Sequence, residues 1–551
     1  MNETFDFVIV GSGAGSMCAA LVLRVAGKRV LILEKAALVG GTTATSGGVM
    51  WVPNNRFMRA EGVADSREQA IAYLDAAVGD HPDMPGASRE RRIAYVDAAP
   101  QMLDFLVERG IKLRRIPSWP DYYKVPGESV PGRTVVSELF DLNRLGTWKA
   151  KLRPGFLPLP ANLDEAMQMP LLKRTGSAKK VLARIIGRVL RDRLTGKRRT
   201  TAGQALQAQM LLAAVDAGAE IRTETAVKDL IVEDGRVTGV VVDKNGSDWR
   251  IGAHLGVLIN AGGFARNQRM LDQYIPGTKT EWSNVIAEDT GDMIAAGQRI
   301  GAAVAQMEER IGGHIVLPPG DPAMKPVMQN DTSKPHCIVV DQSGVRYQNE
   351  AGSSVEFCRR MRERAKTAPA VPSWMIVDTQ YLRNYMLAGS MPGLKKPKAW
   401  LETQFLRKGE TLAELAAACG IDAAALEASV ERFNGFVHRG RDEDFHRGET
   451  AYEQWLGDPL CEKEKSLGTV EEGPFYALAL YPGDLGTFGG LVTDVQARVL
   501  RDDGSVIPGL YATGTSTASV MGGIEPGAGG SIGPAFTWAY VAAKHAVGSG
   551  T

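Results

Sequence analysis

The residues whose spacing most clearly carries chemistry stand at the start of the chain. Gly11-Ser12-Gly13-Ala14-Gly15-Ser16 follows the apolar run Phe5 to Val10 and precedes a helical pattern from Met17 to Ala26. Strand, tight turn and helix in that order present backbone N–H groups and a helix N-terminus to a pyrophosphate. Gly11 permits the turn, Gly13 lets the backbone approach the phosphates, and small Ser16 allows close helix packing where a third Gly or Ala is usual. A second strand, Arg29 to Leu33, ends at Glu34, followed by Lys35. A carboxylate at that distance accepts hydrogen bonds from a ribose diol and disfavours a 2′-phosphate. These residues define a dinucleotide site for FAD or NAD.

Later segments favour FAD. Gly40 to Gly48 is rich in hydroxyls and glycine, so Gly41, Thr42, Thr43, Ser46, Gly47 and Gly48 form a loop able to wrap a ribityl chain and ring edge. Thr223 to Val242, with Val227, reads as two strands around a turn at Asp234-Gly235, and Leu258 to Phe264 returns as a buried strand ending at Ala261 and Gly262. Gly509 to Gly514 is another strand-to-glycine exit. Gly527 to Gly533, including Gly530 and Ile532, opens an apolar helix through Ala543. Such a helix start offers N–H donors to the carbonyl edge of a flavin as it becomes anionic. The nucleotide domain is therefore expected to draw on both chain ends. No second GxGxxG occurs, which argues against a resident NAD(P)H site and for a diffusible electron acceptor.

Composition narrows the partners. Lys plus Arg total 64 against 63 Asp plus Glu, a net +1 that provides no bulk field for nucleic acid. At 551 residues two packed domains are the better expectation. Five cysteines without a CxxC pair fit reduced thiols, and the acidic N-terminus does not resemble a secretory signal, so a cytoplasmic protein is expected. The seven histidines form no HExxH or Cys/His cluster, so no metal is expected. Between Lys173 and Arg199 eleven basic residues accompany one acid, Asp192, with apolar residues at helical spacing. That amphipathic helix either covers the nucleotide domain or makes peripheral contact with an anionic membrane.

Taken together, GSGAGS (11–16), GGTTATSGGVMWVPNN (40–55), RYQNEA (346–351), RFNGFVHRGRDEDFHRG (432–448), PFYALALYPGDLGTFGGLVTD (474–494) and GLYATGTSTASVMGGIEPGAGGSIGPA (509–535) resemble the 3-ketosteroid dehydrogenases, within the fumarate-reductase-type flavoproteins. The resemblance implies an α/β fold, α+β overall. A Rossmann-like FAD-binding domain would span 1–275 and 470–551, with a helical insertion at about 60–200, and a catalytic domain would occupy 276–469. It implies non-covalent FAD and an apolar ketone held between the domains. The ketone oxygen is polarised, a proton leaves the α carbon, and hydride passes from the β carbon to flavin N5, giving an α,β-unsaturated ketone.

The family's Tyr-Pro-Gly-x-Gly string is Glu525-Pro526-Gly527-Ala528-Gly529 here, so the glycine donor is kept and the tyrosine is replaced. Ser354 stands where the family has its base tyrosine. Tyr122-Tyr123 matches the third aromatic position. The implied catalytic set is thus Tyr122, Tyr123, Ser354, Glu525 and Gly529. In an apolar cleft Glu525 is either a protonated donor or the base itself, and otherwise caps the glycine turn. One tyrosine is expected to face substrate while the other packs. Ser354, unassisted, is a weak base, and Tyr347 reads as a strand residue. His438 and His446 lie in a charged string expected to be a solvated loop. A desaturase of 3-oxosteroids or related cyclic ketones is the leading expectation; a fumarate-reductase-like ene-reductase and a flavin-binding protein with altered catalysis are the alternatives.

Overall fold

The computed structural model describes residues 1–548 except 82, 245, 462 and 463. Its first sheet grows from the run that opens the chain. β1 (Glu3–Val10) buries Phe5 and Phe7 to Val10 on both faces, the near-continuous apolar pattern of a parallel strand covered on both sides. Helix α1 (Ala14–Val25) carries the chain to β2 (Val30–Leu33), which pairs parallel to β1. The hydroxyl-rich loop after Glu34 contains a one-turn helix, α2 (Gly41–Thr45), rather than open coil throughout. Its entry needs glycine, since Gly40 has φ +110°.

Between β2 and the next strand of this sheet lies a largely helical stretch that also holds a three-stranded antiparallel sheet. Within it runs the basic helix α3 (Gly176–Thr195). Val181 and Ile185 pack inward against Ala161, Leu157 and Met169. Ile186, Leu190 and Leu194, spaced by four, stand 50%, 54% and 88% exposed on the outer side. The helix therefore covers the body with one stripe and presents a second apolar stripe outward.

The main sheet resumes with β3 (Glu220–Arg222), β4 (Val227–Glu233), β5 (Arg236–Lys244) and β6 (Ser247–Ile259). The chain then leaves it for a four-stranded antiparallel sheet of β7 (Cys337–Val340), β8 (Ser373–Val377), β9 (Leu406–Gly409) and β10 (Phe475–Leu480), in the order β7-β8-β10-β9. Helix α4 (Ser354–Arg364) places Phe357 and Met361 on one face of this sheet. The helices Leu412–Cys419 and Ala423–Arg439 cover the other. The short helix α5 (Ala451–Leu456) precedes β10. β10 belongs to this second sheet. β11 (Arg498–Leu500) and β12 (Val506–Ala512) complete the first sheet, in the order β11-β12-β6-β1-β2-β3 with β5 and β4 paired beyond β6. Helix α6 (Ile532–Gly548) closes the chain.

The charged string after the helix Ala423–Arg439 departs from its expected solvated loop. His438 lies in the last turn of that helix and His446 is exposed as expected, whereas Asp442 and Arg447 are each 1% exposed. Arg346 forks onto Glu350 and Asp442, and Arg447 donates to Glu350 at 3.1 Å and to the carbonyls of Cys337, Thr332 and Lys334. Burial alone would raise the Glu350 carboxyl; Arg346 and Arg447 more than reverse this and hold it below the usual range. Tyr347 is outside any strand and its hydroxyl meets Ser373 Oγ at 2.8 Å. Removing one partner of a buried charge network leaves uncompensated charge, at a cost of roughly 3–5 kcal/mol. Glu350→Gln is therefore expected to lower stability by that amount, read as the midpoint of urea unfolding; an unmoved midpoint would contradict the role given to the network.

Candidate active site

One cavity joins the two chain ends. About 1430 Å³ of space lies among the carboxyl ends of β1, β2, β6 and β12 and the segments facing them. That space, part of it open to solvent, sits where open α/β sheets bind ligands. Its wall includes Gly11, Ser12, Gly13 and Ala14; Glu34 and Lys35; Gly41, Thr42, Thr43, Ser46, Gly47 and Gly48; Val227, Ala261 and Gly262; and Gly514 and Ile532. Three of the predicted cofactor residues stand elsewhere. Gly15 lies on the buried side of α1, where a Cβ would come 2.6 Å from the Ala535 carbonyl of α6. Ser16 Oγ accepts from Asn260 Nδ2 at 2.8 Å. Gly530 lines a separate chamber. The first two are packing positions, since they point from α1 into the core.

At the nucleotide end, Gly13 caps α1 without any side-chain hydrogen bond, leaving the helix start to an anionic group. Glu34 is held in place: its Oε2 accepts from Ser12 N at 3.1 Å and Ser12 Oγ at 2.5 Å, and its Oε1 from Ala36 N at 2.8 Å. An ionised carboxylate has about four acceptor positions, so capacity for a further hydroxyl remains. Lys35 is engaged, donating to Thr290 Oγ1 and Asp292 Oδ2 at 2.7 Å each. Sequence reasoning missed Asp289 on this wall. It is 4% exposed, its Oδ1 finds no partner, and burial pushes its carboxyl up to about 7. An orphan acceptor facing a glycine-lined trench fits a hydroxyl-bearing cofactor. Nothing in Asp289-Thr290-Gly291 marks this beyond an ordinary turn.

At the other end the wall is apolar, with Val49, Ile286, Ile311 and Leu485, and carries Glu525, Gly529 and Ser531. The Ile311 and Leu485 contributions come from two short antiparallel strands, Arg310–Gly312 and Asp484–Thr487, a pairing the sequence reading did not anticipate. Gly529 requires its lack of side chain: φ is +100° and a Cβ would meet Trp51 N at 2.5 Å. Burial pushes the Glu525 carboxyl up to about 7, and the Gly529 amide, aimed at that carboxyl, pulls it partly back. The Gly529 N–H was expected to reach substrate directly; here it supports Glu525.

Tyr122 and Tyr123 flank Glu525 without lining the cavity. The Tyr122 ring lies 4.0 Å from that of Tyr452, on α5, a neighbour the sequence reading missed because its partners are far apart in the chain. Burial lifts all three phenols, Tyr123 to about 12. Ser354 starts α4, and its hydroxyl donates to Gln329 Oε1 away from the cavity wall.

A doubly built crevice, an uncapped helix start, a buried ribose-type acid and an apolar end with a near-neutral carboxyl define a flavin-dependent oxidoreductase. The family model described as "FAD binding domain" matches residues 6–532. A 3-oxosteroid 1-dehydrogenase of Mycolicibacterium smegmatis is 39% identical over 98% of this chain and 97% of its own. A 4-oxocyclohexanecarboxylate 2-dehydrogenase of Sinomonas cyclohexanicum is 34% identical over 99% and 93%. The 3-ketosteroid Δ1-dehydrogenase of Sterolibacterium denitrificans, solved with 1,4-androstadiene-3,17-dione, superposes with a TM-score of 0.93 at 37% identity over all of both chains. The chain belongs to the FAD-binding 3-ketosteroid dehydrogenase family and is an FAD-dependent oxidoreductase.

The position of Glu525 has a consequence for stability. Its unfolded carboxyl ionises near 4.5 and the folded one near 7. The folded state is therefore unburdened below pH 4.5 and loses stability as pH rises through 7. In the Glu525→Gln variant that loss is absent. Thermal unfolding of the two proteins from pH 4.5 to 8 is expected to show a gap that widens with pH in favour of the variant, then levels off. A gap constant with pH would refute the burial argument.

Proposed function

We propose that this enzyme desaturates a neutral cyclic ketone of 3-oxosteroid type, with Glu525 as the base that removes the α proton. The observation that carries this reading is Glu525 itself, a buried carboxyl with a pKa of about 7 on the wall of an apolar pocket. A general base works best when its pKa lies near the operating pH. The neighbouring phenols stay protonated, so they orient and donate, and the Ser354 hydroxyl is already bonded to Gln329. FAD, when bound, supplies the acceptor for the β hydride.

The chain's own residues do the rest. Gly13 and the start of α1 would meet the pyrophosphate of bound FAD, and Glu34 and Asp289 would accept from its hydroxyls. The residues from Gly41 to Gly48, with Ala261, Gly262, Gly514 and Ile532, enclose the remainder. Ile311, Leu485 and Val49 exclude water from the reacting face, which strengthens each polar contact there. Arginine is absent from the described lining of this cavity, which favours an uncharged ketone over a dicarboxylate. We assign the FAD-binding body to 1–275 together with the segment after Leu480, and the catalytic body to the intervening residues. Electrons then pass to a diffusible acceptor. The five unpaired thiols support a reducing compartment, the cytoplasm.

Removing the base while keeping a donor separates the two roles of Glu525. Glu525→Gln is expected to retain FAD and to slow flavin bleaching by a 3-ketosteroid about 10²–10⁴-fold. In the unmodified enzyme that rate should rise with pH through about 7. Bleaching at an unchanged rate in the variant, or a rate falling through pH 7, would eliminate the base assignment.

The outer stripe of α3 supports peripheral contact with an anionic bilayer, where apolar ketones dissolve. Ile186, Leu190 and Leu194 project from a helix whose exposed residues include Lys179, Lys180 and Arg191. No described helix is long and apolar enough to cross a membrane. The protein is expected to float with phosphatidylserine-containing liposomes at low salt, and Leu190→Glu to abolish this. Absence of flotation at low salt would remove the idea.

A further inference from the structure

Gly514, Thr515 and Ser531 also line a second, small chamber beside the main cavity. Thr487, Thr517, Ser519 and Trp538 line it as well. Inside it about 20 Å³ is open to the centre of a water-sized sphere, against the ~10–15 Å³ that one water requires. Two groups here are unsatisfied. Trp538 Nε1 and Thr487 Oγ1 are buried, in side chains 2% and 0% exposed, and neither finds a hydrogen-bond partner in the protein. A buried donor left without a partner is destabilising, and an indole N–H can only donate.

A cation lies over the same indole. The Arg91 guanidinium lies 4.7 Å from the Trp538 ring centroid and the residue is 2% exposed. Its Nη1 donates to the carbonyls of Gly86 and Ala518, while Nε and Nη2 have no partner. A desolvated cation over an indole face draws electron density from the ring and strengthens the N–H as a donor. Arg91 thus lies against Trp538, which lines the chamber that borders the main cavity.

We propose that this chamber is a hydration site serving the cofactor: water held by Trp538 and Thr487 donates by way of Thr515 and Ser531 toward the carbonyl edge of the flavin, stabilising the charge gained there on reduction. This rests on the reading that the flavin ring occupies the Glu525–Ser531 end of the cavity. It adds a second electrostatic support to the start of α6, and it assigns Trp538 and Thr487 as positioning residues that act through solvent.

The test uses the FAD-loaded protein and two readouts other than turnover: the midpoint potential of the bound flavin, and its affinity for sulfite, which adds to the oxidised ring. Trp538→Phe and Thr487→Val each keep bulk and remove one polar group. Both are expected to retain FAD, lower the potential and weaken sulfite binding by roughly tenfold, the worth of one hydrogen bond to a charged group. Ser531→Ala on the shared wall should shift both readouts in the same direction. If Ser531→Ala shifts them and the other two variants do not, the ring lies at this end and the chamber proposal is overturned. If none of the three variants shifts either readout, the placement of the ring itself fails, and the proposal with it.

Discussion

The close approach of the first and last helices is the constraint on which the site depends. Gly15 of α1 faces the Ala535 carbonyl of α6 so tightly that a single added carbon would stand 2.6 Å away. Because α6 and the glycine turn before it come from the far end of the chain, this contact fixes Glu525, Gly529 and Ser531 relative to Gly11–Ala14. Asn260 adds a polar tie, bonding Ser16 through its amide while the β6 strand before it pairs with both β1 and β12. Without that packing the N-terminal turn would still present N–H groups to an anion, but the apolar end of the cavity would have no fixed distance from it.

Buried charge is handled in two opposite ways. Around Arg346 and Arg447, Glu350 and Asp442 each meet a guanidinium and are held ionised inside the protein. Their reward is geometric: the network fastens the turn leading into α4 to the loop before α5, and Asn349 Nδ2 extends the fastening to Glu453 at 3.1 Å. Glu525 has no such partner, and burial shifts its proton equilibrium toward neutrality. A paired acid stiffens a scaffold, whereas an unpaired one in an apolar wall is left able to exchange a proton.

What could be read from the sequence follows from the range of the interactions involved. The Gly11–Ser16 turn, Glu34, the β4–β5 hairpin around Asp234-Gly235 and the glycine exits of β6 and β12 depend on neighbours within a few residues, and they stand where their local patterns predict. The exceptions are long-range. Asp442 and Arg447 look like members of a solvated string until Arg346 and Glu350, almost a hundred positions away, are brought against them. Tyr452 gains meaning only from its ring contact with Tyr122, and Asp289 only from the trench it faces. Gly15 and Ser16 belong to the motif yet serve packing, because a motif's spacing records the whole turn and not which face each residue turns to a ligand.

The replacement of a phenol by a carboxyl at position 525 changes what the same scaffold can do chemically. A buried tyrosine moves away from ionisation, as Tyr122 and Tyr452 do, so it donates to an oxygen but gives up its proton reluctantly. A buried glutamate moves toward neutral pH from below and reaches a range where both protonation states are populated. The Gly529 amide, pointed at that carboxyl, then favours the ionised form and prevents burial from locking the acid in its neutral state. The glycine thus acts on the proton affinity of the group beside it. That tuning requires the left-handed backbone at Gly529 and the absence of a side chain against Trp51, which is why glycine at 529 remains necessary even with glutamate at 525.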